Sequence, residues 1–133
     1  MNQEEIQNQI NNKKLEVKNK VFLNKEKIEK LKKYDINKIK ALNLLGLAQR
    51  ARQLQSGSPT VMTNIRSKHA KLIIIAEDAS ENTKKQFLDK SEYYGIPSYI
   101  TFSKAEISQA IGKERTVCAF TDDGFAQSFK KLL

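Results

Sequence analysis

The chain has 133 residues, 39% of them hydrophobic, which is enough for one modest core and too little for two. Its 24 Lys and Arg residues outnumber its 15 acidic residues, and this basic balance favours a polyanionic partner. The single cysteine excludes a disulfide, and the polar N-terminus and short aliphatic runs predict a soluble cytoplasmic protein without membrane contact.

A lysine-rich stretch without glycine or proline occupies residues 1–38. Residues 1–40 carry 11 lysines and 6 acidic residues, whereas all the arginines lie further along the chain. Apolar residues recur in this stretch at the helical spacing of three, four or seven, namely Ile10, Val17, Val21, Ile28 and Leu31. Two interpretations remain open: an amphipathic helix that pairs with a protein partner, or a partly helical, frayed extension.

From Ile39 onward the pattern predicts helices alternating with strands. In chain order we predict a helix over 39–54, a helix over 58–66, a strand over 72–76, a helix over 81–93, a strand over 98–101, a helix over 104–110, a strand over 116–121 and a helix ending at 132. The aliphatic run at 72–76 is typical of a strand buried on both faces. This alternation predicts a layered α/β domain over residues 39–133.

Residues that favour turns and helix caps define the predicted boundaries. The apolar face of the first predicted helix comprises Ile39, Leu42, Leu45 and either Ala48 or Gln49. Ser58 reads as the N-cap of the second helix, with Pro59 at its first helical position. The later helices have capping candidates in Ser80, Ser103 and one of Asp122 and Asp123.

Few residues offer catalytic chemistry. His69 has no second ligand or nucleophile near it in sequence, which favours an ordinary surface histidine. Asp78 follows a buried strand beside Glu77, where cap and turn residues also collect, so we interpret it as structural. Cys118 lies within an apolar strand and is expected to be an inert core residue. The sequence predicts a protein that is not an enzyme and has no cofactor and no metal site.

The candidates for anion binding are more numerous. Gly57 and Ser58 place a turn directly before a helix N-terminus, where free N–H groups and the positive end of the dipole can bind a phosphate. Thr60, Thr63 and Arg66 share a helix face, although an ordinary capped surface helix would read the same way. In a layered fold, the loop 112–115 and the turn at 78–80 are expected to converge on the same face.

Several segments, in this order, resemble the ribosomal protein L7Ae/L30e superfamily of kink-turn RNA binders. The likeness is greatest to its short bacterial YlxQ-like branch, and the segments together span residues 41–133. They are LLGLAQRAR at 44–52, SG at 56–57, AKLIIIAEDASENT at 70–83, IGKER at 111–115 and TDDGFA at 121–126. The resemblance implies a three-layer α-β-α sandwich around a mixed four-stranded sheet. It also implies RNA binding through the start of the helix after Gly57 and the loop before the last strand.

Carried over by position, the family's functional residues fall on Gly57, Pro59, Thr60, Thr63, Ser80 and Arg115. The chain departs from the family pattern Gly-x-Asn-Glu-x-x-Lys, because proline and two threonines replace the asparagine, glutamate and lysine. The change at Thr60 removes an acceptor for guanine, and the change at Thr63 removes a base or phosphate contact. Lys113 and Glu114 also occupy loop positions that are often apolar in strong binders. These departures favour general RNA binding over tight kink-turn reading.

We therefore predict an RNA-binding protein, either ribosome-associated or bound to another structured RNA such as a kink-turn. The alternative is a protein-interaction adaptor that keeps the fold but has lost high-affinity RNA recognition. The substitutions at 59, 60 and 63 and the 1–38 extension favour that alternative. The residues expected at the RNA are Arg50, Arg52, Gly57, Ser58, Thr60, Thr63, Arg66, Ser80, Lys113, Glu114 and Arg115.

Overall fold

The computed structural model describes residues 2–8 and 25–133 of the chain. The chain divides into two compact units, Met1–Asn37 and Lys38–Leu133. In the first unit, residues 3–8 are helical, and the Asn2 side chain accepts a hydrogen bond from the Glu5 N–H at 2.8 Å. The backbone is helical again from Lys25 onward. Of the predicted apolar stripe, Ile28 and Leu31 lie in this helical stretch, whereas Ile10, Val17 and Val21 lie outside the described residues.

The elements of the described chain from residue 25 alternate between helices and strands, as predicted except for the first strand, which was not predicted from the sequence. They are α1 (Lys25–Arg50), β1 (Leu54–Ser56), α2 (Ser58–Arg66), β2 (Leu72–Ile75), α3 (Glu81–Tyr94), β3 (Ser98–Ile100), α4 (Lys104–Ile111), β4 (Val117–Phe120) and α5 (Asp123–Leu132).

The four strands form one mixed sheet in the order β1-β4-β2-β3. β2 and β3 are parallel, whereas β4 runs antiparallel to both β1 and β2. Every residue of β2 and β4 is buried. Because successive side chains of a strand point to opposite faces, both faces of the sheet must be covered by helices. The predicted α-β-α sandwich around a mixed four-stranded sheet is confirmed.

Helices cover the sheet in two layers. α2 contacts β1 and β4, α3 contacts β2 and β3, and the two helices contact each other. On α5, Phe129 is fully buried, and its ring centroid lies 5.5 Å from that of Phe120 on β4. α1 and α4 approach so closely that a Cβ at Gly46 would lie 3.0 Å from the Ala110 carbonyl oxygen. Burial of about twenty apolar side chains of this kind supplies the main stabilisation of the domain.

The first predicted helix begins earlier than expected, at Lys25, and ends four residues earlier than expected. α1 ends at Arg50, and Arg52 takes the left-handed conformation at φ 58°, which turns the chain into β1. The sequence between the helix and the strand contains no glycine or proline, so no local signal predicts the turn at Arg52 or the short strand β1. The helix face was also misplaced at one end, since Ile39 is 59% exposed whereas Ala41, Leu45 and Ala48 are buried.

The predicted helix caps are confirmed except the first. Gly57, not Ser58, is the N-cap of α2, and no side chain caps that helix. The Ser80 hydroxyl accepts from the Thr83 N–H at 3.1 Å, and Ser103 forms a capping box on α4. Asp122 caps α5. These hydrogen bonds satisfy N–H groups that have no acceptor within the helix.

The remaining candidates for catalysis have ordinary surroundings. Cys118 is fully buried, and this burial raises the pKa of its thiol to about 12, so it stays an uncharged core residue at neutral pH. His69 is exposed, with its Nδ1 atom 2.9 Å from the Ser67 hydroxyl. Within residues 2–8 and 25–133, no helix is long and apolar enough to cross a membrane.

Candidate nucleic-acid interface

Four segments of the chain meet where the strands end at one edge of the sheet. Because β4 is antiparallel to β1 and β2, the residues that precede it lie beside the residues that follow those strands. The Gly57 N–H donates to the Val117 carbonyl at 3.0 Å, and the Ala76 N–H donates to the Thr116 carbonyl at 2.9 Å. We call this region the loop edge; it comprises residues 56–60, 76–81, 101–104 and 112–116. The turn at 78–80 and the loop at 112–115 therefore converge as expected.

Arg115 is held at the loop edge by hydrogen bonds from both its backbone and its side chain. Its Nε donates to the Ser56 hydroxyl at 3.1 Å, and its Nη1 donates to the Glu114 carbonyl at 2.9 Å. A guanidinium has five N–H donors, and these bonds use only part of that set. Among the described residues, no other acceptor binds this guanidinium, so its remaining donors are available to an acidic ligand.

Gly57 allows the Arg115 side chain to lie against the backbone of the turn before α2. A Cβ at this position would lie 3.4 Å from the Arg115 Nε, at the lower limit of ordinary van der Waals contact. The backbone of Gly57 also has φ 92° and ψ 139°, a conformation that side-chain-bearing residues rarely adopt. The glycine therefore serves two needs here, since it permits the turn and leaves room for the arginine.

The N-terminus of α2 is left open to a ligand. No side chain caps it, and no acidic residue lies in its first turn. Its N–H groups at Ser58 and Thr60 have no acceptor within the helix, because Val61 is the first residue whose N–H bonds back to Gly57. Both residues are exposed. The positive end of the helix dipole and these N–H groups favour an anion beside Arg115.

The other two helices that begin at the loop edge are capped by the protein itself. Ser80 caps α3, and Ser103 with Glu106 caps α4. Asp78 Oδ1 also accepts from the Lys104 N–H at 2.8 Å, which confirms that this acid has a structural role. Of the three helix N-termini at the loop edge, α2 therefore has the greatest capacity to bind an anion.

Charges around the Arg115 loop are partly paired. Lys104 Nζ lies 2.9 Å from Glu114 Oε1, and this hydrogen bond holds the pKa of the exposed Glu114 carboxyl below its usual value. Lys38 similarly bonds to Glu106 at 2.9 Å and lowers the pKa of that carboxyl. With Glu114 neutralised by Lys104, the positive charge of Arg115 and the exposed Lys113 is not offset by the acid between them.

The structure separates the sequence-predicted residues into two groups. Gly57, Ser58, Thr60, Ser80, Lys113, Glu114 and Arg115 lie at the loop edge, with Thr63 one turn further along α2. Arg52 precedes β1 and Arg66 ends α2, so these two lie toward the opposite edge of the sheet. Arg50 ends α1, and its side chain lines the groove between α1 and α4 together with Glu106 and Ala110.

Two of the predicted hydroxyls already have partners within the chain. The Thr63 hydroxyl donates to the Pro59 carbonyl at 3.0 Å, inside its own helix. The Ser80 hydroxyl accepts the capping bond from Thr83 and donates to the Thr83 hydroxyl at 2.9 Å. Neither hydroxyl is an uncommitted donor, which lowers the capacity of both positions to read a base directly.

Sequence reasoning missed Ser56 and Ser108, which hold Arg115 in place. The Ser108 hydroxyl lies on α4, where it accepts from the Arg115 N–H at 3.0 Å and donates to the Arg115 carbonyl at 3.3 Å. Serines are common on exposed helix and strand positions, and neither of these carries a motif. Only the sheet register brings Ser56 beside a residue 59 positions later.

Comparison with known proteins identifies a family and several relatives that this chain resembles. A model of the ribosomal protein L7Ae/L30e/S12e/Gadd45 family matches residues 39–130. A protein of Enterococcus faecium named RNA-binding protein YlxQ is 50% identical over 97 residues, which is 73% of this chain and 94% of that relative. A Bacillus subtilis (strain 168) protein of the same name is 48% identical over 91 residues, covering 68% of this chain and 91% of the relative.

Solved structures show the same fold. A Bacillus halodurans protein described as having unknown function superposes with a TM-score of 0.68 and 40% identity, covering 70% of this chain and 95% of that one. The Giardia lamblia 15.5kD RNA binding protein superposes with a TM-score of 0.62 and covers 72% of this chain and 83% of its own. Its identity is only 19%, so that likeness supports the fold alone.

Proposed function

The chain belongs to the ribosomal protein L7Ae/L30e/S12e/Gadd45 family, and we propose that it binds structured RNA through the loop edge. The observation that carries this proposal is the position of Arg115. It is anchored beside the uncapped N-terminus of α2, and some N–H donors of its guanidinium have no acceptor among the described residues. The names of the bacterial relatives describe RNA binding and not catalysis, which supports the same assignment.

In this proposal the loop edge supplies two kinds of contact. Arg115 provides a planar set of donors suited to two acceptors at once, on a phosphate or on the edge of a guanine. The N–H groups of Ser58 and Thr60 and the ammonium of Lys113 bind the neighbouring phosphates of the backbone. Arg52 and Arg66 are not part of the proposed site, because they lie toward the opposite edge of the sheet. Arg50 is not part of it either, because its side chain lines the groove between α1 and α4.

We further propose that the RNA is recognised more by its backbone shape than by its base sequence. Pro59 has no N–H, and the Thr63 hydroxyl is bonded within its own helix, so α2 offers few groups to read sheared base pairs. A kink-turn, which is a bent RNA, is one candidate ligand for such a surface. Ribosomal RNA is the structured RNA to test first, given the family to which the chain belongs.

Binding is expected to weaken steeply as salt rises, because phosphate contacts release condensed counterions. Each phosphate neutralised contributes roughly one unit to the slope of log affinity against log salt. With at least two cationic contacts, affinity should fall by at least about tenfold between about 50 mM and about 200 mM salt. Fluorescence anisotropy with a labelled RNA hairpin measures this slope. A nearly flat slope would contradict a site built on phosphate contacts.

A second candidate function is that of a protein-interaction adaptor. It is favoured by the extension over residues 1–38, where apolar residues recur at helical spacing, and by the weakened base-reading positions of α2. Removing residues 1–37 separates the two functions. An RNA-binding protein should keep most of its RNA affinity after this deletion, whereas an adaptor that acts through the extension should lose its protein partner. Loss of nearly all RNA affinity in the shortened chain would contradict binding at the loop edge.

A further inference from the structure

We propose that Ser56 and Ser108 are positioning residues that preorganise Arg115 for contact with RNA. The inference rests on the proposed function, because it assigns a role at the same site. Both serines lie on regular elements of the fold, Ser56 at the end of β1 and Ser108 within α4. Arg115 itself lies in the loop before β4. The two hydroxyls thus tie a loop arginine to two rigid parts of the domain.

Ser108 fixes the backbone of Arg115. A single hydroxyl accepts from the Arg115 N–H at 3.0 Å and donates to the Arg115 carbonyl at 3.3 Å. The hydroxyl therefore closes a small ring with both polar groups of one residue. The Arg115 N–H and carbonyl do not pair with β1 at this point, since the ladder begins at Cys118 opposite Ser56. Ser108 supplies the partners that the sheet does not.

Ser56 fixes the direction of the guanidinium. Its hydroxyl accepts from the Arg115 Nε at 3.1 Å. Because the guanidinium is planar, fixing the direction of Nε–H also limits where the two terminal nitrogens can point. The neighbouring Gly57 has no side chain and lies directly beside that Nε. The serine on one side and the bare backbone on the other thus hold the arginine in one orientation.

This arrangement reduces the entropy lost when Arg115 binds. A long side chain that is free before binding must be immobilised in the complex, and that ordering weakens affinity. A side chain that is already held before binding loses less conformational entropy when the complex forms. Neither serine carries a charge, so removing either hydroxyl leaves the number of phosphate-binding cations unchanged. The inference therefore predicts weaker binding with an unchanged salt slope, which is a combination that loss of a cation does not produce.

The test compares Ser56→Ala with the wild-type chain, using a hairpin RNA that contains a kink-turn as the probe. We expect Ser56→Ala to bind about two- to tenfold more weakly, with the same salt slope. Ser56→Thr keeps the hydroxyl in a strand position that tolerates threonine, and it should restore most of the affinity. Ser67→Ala is the matched control, because it removes a hydroxyl from the far end of α2. Wild-type affinity in Ser56→Ala would overturn the inference.

A double variant distinguishes positioning from direct contact. In an Arg115→Ala background, Ser56→Ala should cause no further loss, because the group that it positions is gone. An equal loss in both backgrounds would show that Ser56 touches RNA itself and would overturn the inference. Ser108→Ala is tested in the same way, with thermal unfolding measured in parallel because its loss leaves two backbone groups of Arg115 unpaired. If Arg115→Ala alone binds like the wild type, the proposed function fails instead.

Discussion

Replacing Arg115 with alanine is expected to weaken the binding of structured RNA by about 1–3 kcal/mol. The guanidinium is anchored by Ser56 at 3.1 Å and keeps donors free at the loop edge. Its loss removes one cation and a rigid pair of donors, so the salt slope should also fall by about one unit. Titration of labelled hairpin RNA at several salt concentrations measures both quantities in the same experiment.

A charge-matched variant at the opposite edge of the sheet provides the control. Lys68 is exposed and has φ 63°, so Lys68→Asn removes one positive charge and places there a residue that accepts the left-handed conformation. Its RNA affinity should stay near that of the wild type. A substitution of Lys84 would be a less suitable control, because its side chain is only 19% exposed and is paired with Glu81. Equal losses in Arg115→Ala and Lys68→Asn would show that the loop edge is the wrong surface.

Replacing Gly57 with alanine is expected to impair both folding stability and RNA binding. The φ of 92° is strained for any residue with a Cβ, and such strain costs about 1–3 kcal/mol of the free energy of unfolding. The new Cβ would also lie 3.4 Å from the Arg115 Nε, so relaxation of the strained turn would disturb the guanidinium and its bond to Ser56. Thermal or chemical unfolding measures the first effect, and RNA titration below the unfolding transition measures the second.

Gly95→Ala is the matched control for this variant. Gly95 also has a positive φ, 68°, at the C-terminal end of α3, but a Cβ there would meet nothing within 4 Å. Alanine at Gly95 should therefore destabilise the fold through backbone strain and leave RNA affinity unchanged. If both glycine variants lose stability and neither loses affinity, Gly57 matters to the turn alone and not to Arg115.

The core of the fold was readable from the sequence because its signals are local. The run 72–76 is continuously aliphatic, and β2 within it is buried throughout. Ser80, Ser103 and Asp122 are favourable N-caps, and each caps a helix. β1 was not readable, since its three residues follow a helix without a breaker and owe their conformation to pairing with β4. The conformation of that segment therefore depends on contacts with residues that are distant in the sequence.

At the candidate site too, individual residues could be recognised from the sequence, whereas the contacts between them could not. Gly57 and Arg115 could be singled out because the family resemblance places functional residues there. Their proximity depends on the antiparallel pairing of β1 with β4, which local patterns do not reveal. Arg52 is close to Gly57 in sequence, yet β1, which lies between it and the turn, carries it toward the other edge. Neighbours along the chain are therefore poor guides to neighbours at this site.

The most direct test of the loop edge as an RNA-binding surface is an NMR titration of the full chain with a hairpin RNA. Backbone amide signals report on each residue separately. We expect the largest shifts at the amides of Gly57, Ser58, Thr60, Lys113 and Arg115, with little change around Lys68. Shifts concentrated at Arg50, Arg52 and Arg66, or no shifts at concentrations well above the measured dissociation constant, would contradict the proposed function.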